Sequence, residues 1–452
     1  MNRRDALGLL AASSSVAMFG TVPLAAQAAP ATSDLPAPLL GPRMNFAQAD
    51  KVMKALGLDA LILATGLNFQ YATGIRPVIS RMGYPPSALA IVKRGEKDRL
   101  AIVGAAFSYY YTMADMHDPA SFPAYLYTAP VGTLADGEDA GAAPLYFFPD
   151  REEAPVDAIE QHRIDASKTA VREQGDYATM SDALRAALRD HGLSKARIAT
   201  DHPRAQRLLT QAAPAIAAVD ADDALRRIRP VKSDVEIELM RHASAGNVVA
   251  AHEALQIVRA GGSYRDLRAA FFAAAARRGQ HGVFMVIDRT SDEQYDGTFR
   301  DGQAFLIDCV SEYQSYHGDY GRTVFVGEPP KPMRQATTAM GDAWDRVREK
   351  LRPGLALAEI TAMGKTALRN ANKRYNVSFG PHSVGLFHTD HTGSTGLPPR
   401  TDMVLEPGMI ISVDCPLLET GVGGSAHLED LMLITADGAE PINPIDQQTI
   451  TV

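Results

Sequence analysis

The sequence predicts two domains in tandem, an α/β unit followed by a unit made of two similar halves, and three observations carry that reading. From Met44 onward helical and strand-like segments alternate. Near Arg229-Pro230 a capping box marks the start of a long helix and of a second domain. Beyond it, one pattern of Gly, Asp-Cys and a returning acid occurs twice. The 452 residues, at roughly 150 per domain, leave room for sizeable cores.

The opening reads as an address rather than as structure. Arg3 and Arg4 precede a small, apolar stretch from Ala6 to about Leu24, and Ala26 and Ala28 form an A-x-A cleavage site. The adjacent arginines resemble a twin-arginine export signal, so residues 1–28 are expected to be removed near Ala28 and the mature chain to reach a bacterial periplasm. The stretch is short for an anchor, and no later apolar run approaches a membrane span. No membrane association is therefore expected after cleavage. Two cysteines cannot staple a chain this long, and a net charge of −8 without a basic patch excludes nucleic acid as a partner.

The elements follow in order. Phe46, Ala49, Met53 and Leu56 recur at helical spacing with Gly57 at the C-cap, and Ala60 to Ala64 is a buried strand. Val131 to Pro155, rich in Gly, Ala, Asp and Pro, is a long surface loop. Ser181 to His191 is a helix stopped by Gly192, and Arg197 to Thr200 is a short strand. This first domain covers 44–230. The capping box Ser233-Asp234-Val235-Glu236 opens a helix expected to end near Gly261-Gly262, and Ser263 caps an Ala-rich helix to about Arg278.

The repeat is the most informative feature. Its first copy runs from Arg259-Ala260-Gly261 through a helix to Gly302, Asp308-Cys309, a turn, and His317-Gly318-Asp319. Its second runs from Arg352-Pro353-Gly354 through a helix to Gly408, Asp414-Cys415, a turn, and His427-Leu428-Glu429. Each Asp lies six residues after its Gly in an apolar strand, AFLIDCV or IISVDCP, and each hairpin is expected to return a second carboxylate. Two such halves facing each other across a pseudo-two-fold axis bring four carboxylates together. An unpaired charge in an apolar strand is too costly, so these acids are paired, protonated or metal-bound. Basic residues near them are few, Arg322 being the nearest.

The segment FGPHSVGLFHTDHTG adds His382, His388 and His391. One histidine with four carboxylates suits a pair of Mn2+, Co2+ or Zn2+ ions. Two such ions ~3.5–4 Å apart share a hydroxide and clamp an in-line attack. Alternation along the strand turns Cys309 and Cys415 away from the acids, as two buried free thiols or, where the pseudo-symmetry brings them together in an oxidising periplasm, as a disulfide.

The order of Asp308, Asp319 in D-Y-G-R-T, His382 in P-H-S-V-G-L, L-E-P-G-M ahead of Asp414, and Glu429 in H-L-E-D resembles the creatinase/prolidase/aminopeptidase P metallopeptidases. Their α+β catalytic domain, with its internal pseudo-two-fold repeat, is called the pita-bread fold. The stretch R-R-I-R-P-V-K-S-D-V-E-I is similar to the family's lead-in to that domain, and the region before it to the creatinase-like N-terminal domain. The resemblance implies a catalytic domain over 231–452, in which Asp308 chelates one metal, Asp319 and Glu429 bridge both, and His382 and Asp414 complete the other. It implies two divalent ions, Mn2+ foremost with Zn2+ or Co2+ as alternatives, and a homodimer.

It also implies a peptidase of the Xaa-Pro type that cleaves the N-terminal residue from short peptides by a metal-bound hydroxide. Asp414 would share in proton transfer, His388 or His391 would steady the tetrahedral intermediate, and Arg322 would order the hairpin and its acids. Three positions depart from the family pattern: Asp414 stands where Glu is usual, His427 where Arg is usual, and Ser291-Asp292 where Xaa-Pro enzymes carry a substrate-handling histidine, with His281 too far back. Two further readings keep the fold: action on a small non-peptide metabolite, by creatinase-like C–N hydrolysis or as a lyase, and a non-catalytic peptide-binding protein. All five ligand positions remain acid or His, which favours metal over both.

Overall fold

The structure, a computed structural model, describes residues 39–76, 78, 82–128, 154–375, 377–391, 403–418, 421–444 and 447–452. The export-signal reading of 1–28, and nearly all of the loop expected over Val131 to Pro155, lie outside them. No helix among the described residues is long and apolar enough to cross a membrane.

The strands β1 (Ala60–Leu63), β2 (Ala88–Lys93), β3 (Leu100–Ala105), β4 (Ala124–Tyr127), β5 (Asp176–Tyr177), β6 (Arg197–Thr200) and β7 (Ala217–Asp220) form one mixed sheet in the order β5-β4-β3-β2-β1-β6-β7. All four residues of β1 are buried, which is why its sequence reads as a continuous apolar run rather than an alternation. Leu61 and Leu63 pack on one face with Ala49, Val52 and Met53 of the helix Phe46–Ala55. Ala60 and Ile62 pack on the other with the helices Met180–Asp190 and Pro203–Ala212. Helices on both faces make this an α/β layer structure, as the alternating pattern predicts.

The capping box is present: Ser233 Oγ accepts the Glu236 N–H at 3.2 Å, and Glu236 Oε2 accepts the Ser233 N–H at 2.8 Å. The helix it opens, Asp234–Leu255, stops short of the expected Gly261-Gly262. The N–H groups of residues 256–258 bond three residues back, and the Gly261 N–H bonds to the Phe299 carbonyl, so the glycines close a later turn. Ser263 caps Tyr264–Arg277 as expected.

The remaining strands are β8 (His281–Ile287), β9 (Ala304–Tyr313), β10 (Tyr316–Phe325), β11 (Gly380–Ser383), β12 (Ile410–Asp414), β13 (Leu431–Ile434), β14 (Ala439–Pro441) and β15 (Thr449–Thr451). They form two four-stranded sheets, β15-β10-β9-β8 and β11-β12-β13-β14. The first is backed by Asp234–Leu255 and Tyr264–Arg277, whose Val248, Leu267 and Phe271 pack on Ile307, Cys309 and Tyr320. The second is backed by Lys331–Arg348 and Leu357–Ala371, whose Trp344, Ile360 and Leu368 pack on Ile411, Val413 and Cys415. Each half is thus a sheet on its own helix pair. In both, the glycine six residues before the strand Asp has a positive φ, +72° at Gly302 and +86° at Gly408, a turn that favours glycine.

Cys309 and Cys415 point to the helices, each in its own core, and both are free thiols. One expectation needs correction. Glu429 does not return on the partner strand of β12; it precedes β13 and pairs instead with Gly321 of β10, accepting its N–H at 3.4 Å and donating to its carbonyl at 3.0 Å. The reason is lateral capture. Thr323 Oγ1 and the Arg322 guanidinium bond the backbone of His427 and Glu429 and hold that segment on the first half.

Candidate metal centre

The strand registers bring the acids to one place. In the β9–β10 ladder Asp308 stands opposite Gly321 and Asp319 opposite Val310, so both carboxylates leave the same face. In the β11–β12 ladder Asp414 stands opposite Gly380 and His382 opposite Ser412, which again places both side chains on one face. The pairing of Glu429 with Gly321 joins the two halves between these faces.

His382 Nε2 lies 3.4 Å from Asp414 Oδ2, 3.5 Å from Glu429 Oε1 and 3.8 Å from Asp319 Oδ2. His388 Nε2 lies 3.3 Å from Asp319 Oδ2. His427 Nε2 lies 3.1 Å from Glu429 Oε2 and 3.4 Å from Asp414 Oδ1. Three overlapping sets therefore offer clustered donor atoms: Asp319, His382 and His388; Asp308, His427 and Glu429; and His382, Asp414 and Glu429. Asp319, Glu429 and His427 are buried, whereas the side chains of Asp414 and His388 are 35% and 36% exposed and form the mouth.

The electrostatics fit a bound cation. Neither oxygen of Asp319 nor Oδ1 of Asp308 accepts a hydrogen bond, although buried carboxylates normally do. Burial, and then the neighbouring Glu429, pushes the carboxyls of Asp308 and Asp319 well above the usual carboxylate range. Burial would lower His382 and His427, but the carboxylates of Asp414 and Glu429 outweigh it and raise both rings well above the ordinary histidine value. Burial likewise pushes Glu429 up, and hydrogen bonding from those two histidines reverses it and holds Glu429 well below its ordinary value. Protons thus carry the positive charge that a metal ion brings when ligands bind deprotonated.

The nearest basic residue in sequence bonds the backbone and Asp430. The Arg322 guanidinium donates to Asp430 Oδ1 at 2.7 Å and to the carbonyls of Glu429 and Gln447, and it lies 4.2 Å over the Tyr320 ring. It orders the backbone behind the acids, as expected of it, and leaves their side chains to other partners.

The three sequence histidines divide by role. His382 and His388 reach the carboxylates, whereas His391 is turned to the strand backbone, its Nδ1 accepting the Ser383 N–H at 3.2 Å. The loop that carries them is tied to the lead-in segment by a buried ion pair: Lys232 Nζ lies 2.6 Å from Asp390 Oδ2, while Asp390 Oδ1 accepts the Phe387 N–H at 3.0 Å. Gly385 is required there, because a Cβ would overlap the Asp390 carboxylate and the Lys232 ammonium. His281 begins β8 opposite Glu312, whereas Asp308 is opposite Val286 farther along, so His281 stays remote from the cluster. Asp292 caps its own turn by accepting the Gln294 N–H.

The residue that sequence reasoning missed is His427, which stands out in sequence only as a replaced arginine. Its signal was the spacing H-x-E, because alternate residues of an extended segment face the same side.

Residues 238–436 match the model of metallopeptidase family M24. The chain is 29% identical over 242 residues to a probable dipeptidase PepE of Mycobacterium bovis, a stretch covering 51% of this chain and 63% of that protein. It is 24% identical over 243 residues to an Xaa-Pro dipeptidase of Pyrococcus horikoshii, covering 51% of this chain and 67% of that one. The crystal structure of the prolidase from Pyrococcus horikoshii OT3 superposes with a TM-score of 0.62 at 16% identity, over 89% of this chain and 99% of that chain, which shows a shared pita-bread fold. The segment 238–436, which holds every acid and histidine of this cluster, is the part of the chain that matches the metallopeptidase family M24.

Proposed function

We propose that this chain is a metal-dependent peptidase that removes the N-terminal residue from short peptides, Xaa-Pro dipeptides among them. The observation that carries the reading is the convergence of Asp319, Asp414 and Glu429 on His382, with Asp308 clustered beside Glu429 and neither oxygen of the buried Asp319 accepting a hydrogen bond. These five residues would hold two divalent ions, Mn2+ suiting the oxygen-rich set and Zn2+ or Co2+ the imidazole. When bound, such a pair supplies Lewis-acid polarisation of a carbonyl and water of lowered pKa.

The chain's own groups do the rest. His388, lowered below the ordinary histidine value by burial and then by His382, is a neutral ring at the mouth that donates a hydrogen bond to a substrate oxygen. Asp414, the exposed acid, passes a proton to the leaving nitrogen. Relatives named dipeptidase and Xaa-Pro dipeptidase support peptide substrates. With His281 remote, non-prolyl dipeptides are expected to be cleaved as well. The Arg3-Arg4 start supports a periplasmic location, and the family resemblance supports a homodimer.

The deciding experiment joins metal analysis to a panel of Xaa-Pro dipeptides, longer Xaa-Pro peptides, non-prolyl dipeptides and creatine. About one to two ions per chain and turnover of dipeptides are expected. Full activity in chelator-stripped, metal-free protein, or turnover of creatine alone, overturns the reading.

A further inference from the structure

Two imidazoles, not one, address the carboxylates. His382 Nε2 faces Asp414 Oδ2 and Glu429 Oε1, at 3.4 and 3.5 Å. His427 Nε2 faces the other oxygen of each, Asp414 Oδ1 and Glu429 Oε2, at 3.4 and 3.1 Å. Each of these two acids thus turns one oxygen to each ring. Asp308 completes the His427 side: its donor atom and those of His427 and Glu429 all lie within 4.8 Å of one another, as do those of His382, Asp414 and Glu429.

A place is built for the second ring. Gly321 stands opposite Asp308 and bridges to Glu429, and a Cβ there would overlap the His427 ring. Thr323 fixes the backbone of His427 from both sides, Oγ1 donating to the His427 carbonyl at 3.0 Å and accepting its N–H at 2.9 Å. The ring is only 2% exposed, and its Nδ1 has no hydrogen-bond partner, so no other group competes for its orientation. An arginine at this position would bring a fixed charge that repels a cation, whereas a neutral imidazole brings a nitrogen lone pair that binds one.

We propose that His427 is a metal ligand, so that each of the two ions would rest on one histidine, with Asp414 and Glu429 in reach of both rings. This rests on the metal-dependent reading above. A second imidazole makes the donor set softer and moves preference from Mn2+ toward Zn2+ or Co2+. It also gives the shorter acid at position 414 a role of its own, because its two oxygens address both rings instead of serving one ion.

The test loads the full chain, His427→Gln and His427→Arg with Co2+. Ions per chain, visible absorption of the bound ion, and imidazole N–H resonances shifted by the paramagnetic metal are followed. Wild type is expected to take up two ions. Both variants should keep one at wild-type affinity, which also shows that they are folded, weaken the other by about a hundredfold or more, and lose one shifted resonance. Variants that hold two ions with unchanged absorption and resonances overturn the assignment. Wild type that binds no ion overturns the metal centre itself, a separate failure. If a variant loses both ions, cadmium-loaded wild type with isotope-labelled histidine decides: through-bond coupling between the metal and the His427 ring supports ligation, and its absence overturns it.

Discussion

The two halves of the repeat deliver the same kinds of acid by different means. In the first, the ten-residue strands β9 and β10 pair along their whole length and present Asp308 and Asp319 from one regular face. In the second, the five-residue β12 presents Asp414, and Glu429 comes from an irregular segment that pairs with the first half. The first half is therefore the template on which the second is completed. Of the three departures from the family pattern, Asp414 and His427 fall in the second half, and Ser291-Asp292 lies in a loop ahead of the β9–β10 ladder. A segment held by a few bonds accepts a new side chain more readily than a residue inside a continuous ladder.

Removing the template's acid has the largest expected effect. Asp319→Ala should abolish activity and lower metal affinity by more than the about 10–100-fold typical of changes behind the ligands, read by elemental analysis and dipeptide turnover. Activity at wild-type level would show that the first half does not carry the site. Next is the clamp on the histidine loop. Lys232→Met leaves the buried Asp390 carboxylate without its 2.6 Å partner and should cost about 3–5 kcal/mol in denaturant unfolding, with His388 loosened and kcat falling more than KM rises.

A third prediction concerns pH. Glu236 caps the first long helix and accepts the Tyr316 hydroxyl of β10, and burial pushes its carboxyl from 4.5 up to about 8 despite Lys232 and the Ser233 N–H. A folded value above the unfolded one favours the protonated native state. That contribution is full below about 4.5 and is lost as pH rises through about 8. Unfolding midpoints should fall across this window, and Glu236→Gln should flatten the decline; an unchanged slope would reassign it. The smallest effect is expected at the adaptable half. Asp414→Glu, restoring the usual acid, should change kcat/KM by less than about tenfold, a shift of under about 1.4 kcal/mol, whereas Asp308→Glu in the template should cost more.

Some features were legible in the residues. The capping box at Ser233 and Glu236, the strand Arg197–Thr200, and the helix stopped before Gly192 follow from local rules in which a side chain acts within a few positions of itself. The repeated Gly and Asp-Cys step also showed which residues belong together, because strand alternation sends Asp to one face and Cys to the other. Asp430 as the partner of Arg322, Lys232 as the clamp on Asp390, and Gly321 as the floor beneath His427 were not legible. Each links positions separated by 106 to 158 residues or depends on the space one strand leaves for another.

The sequence by itself therefore determined the element order, the repeated halves and the five acids and histidines that could bind metal. Only the tertiary structure decided that Glu429 rests on the first half, that His388 rather than His391 turns to the carboxylates, and that His427 stands among them. Local periodicity sets which face a side chain leaves. Which faces meet depends on long-range backbone pairing and on the volume left between packed strands, neither of which is written in any short window of residues.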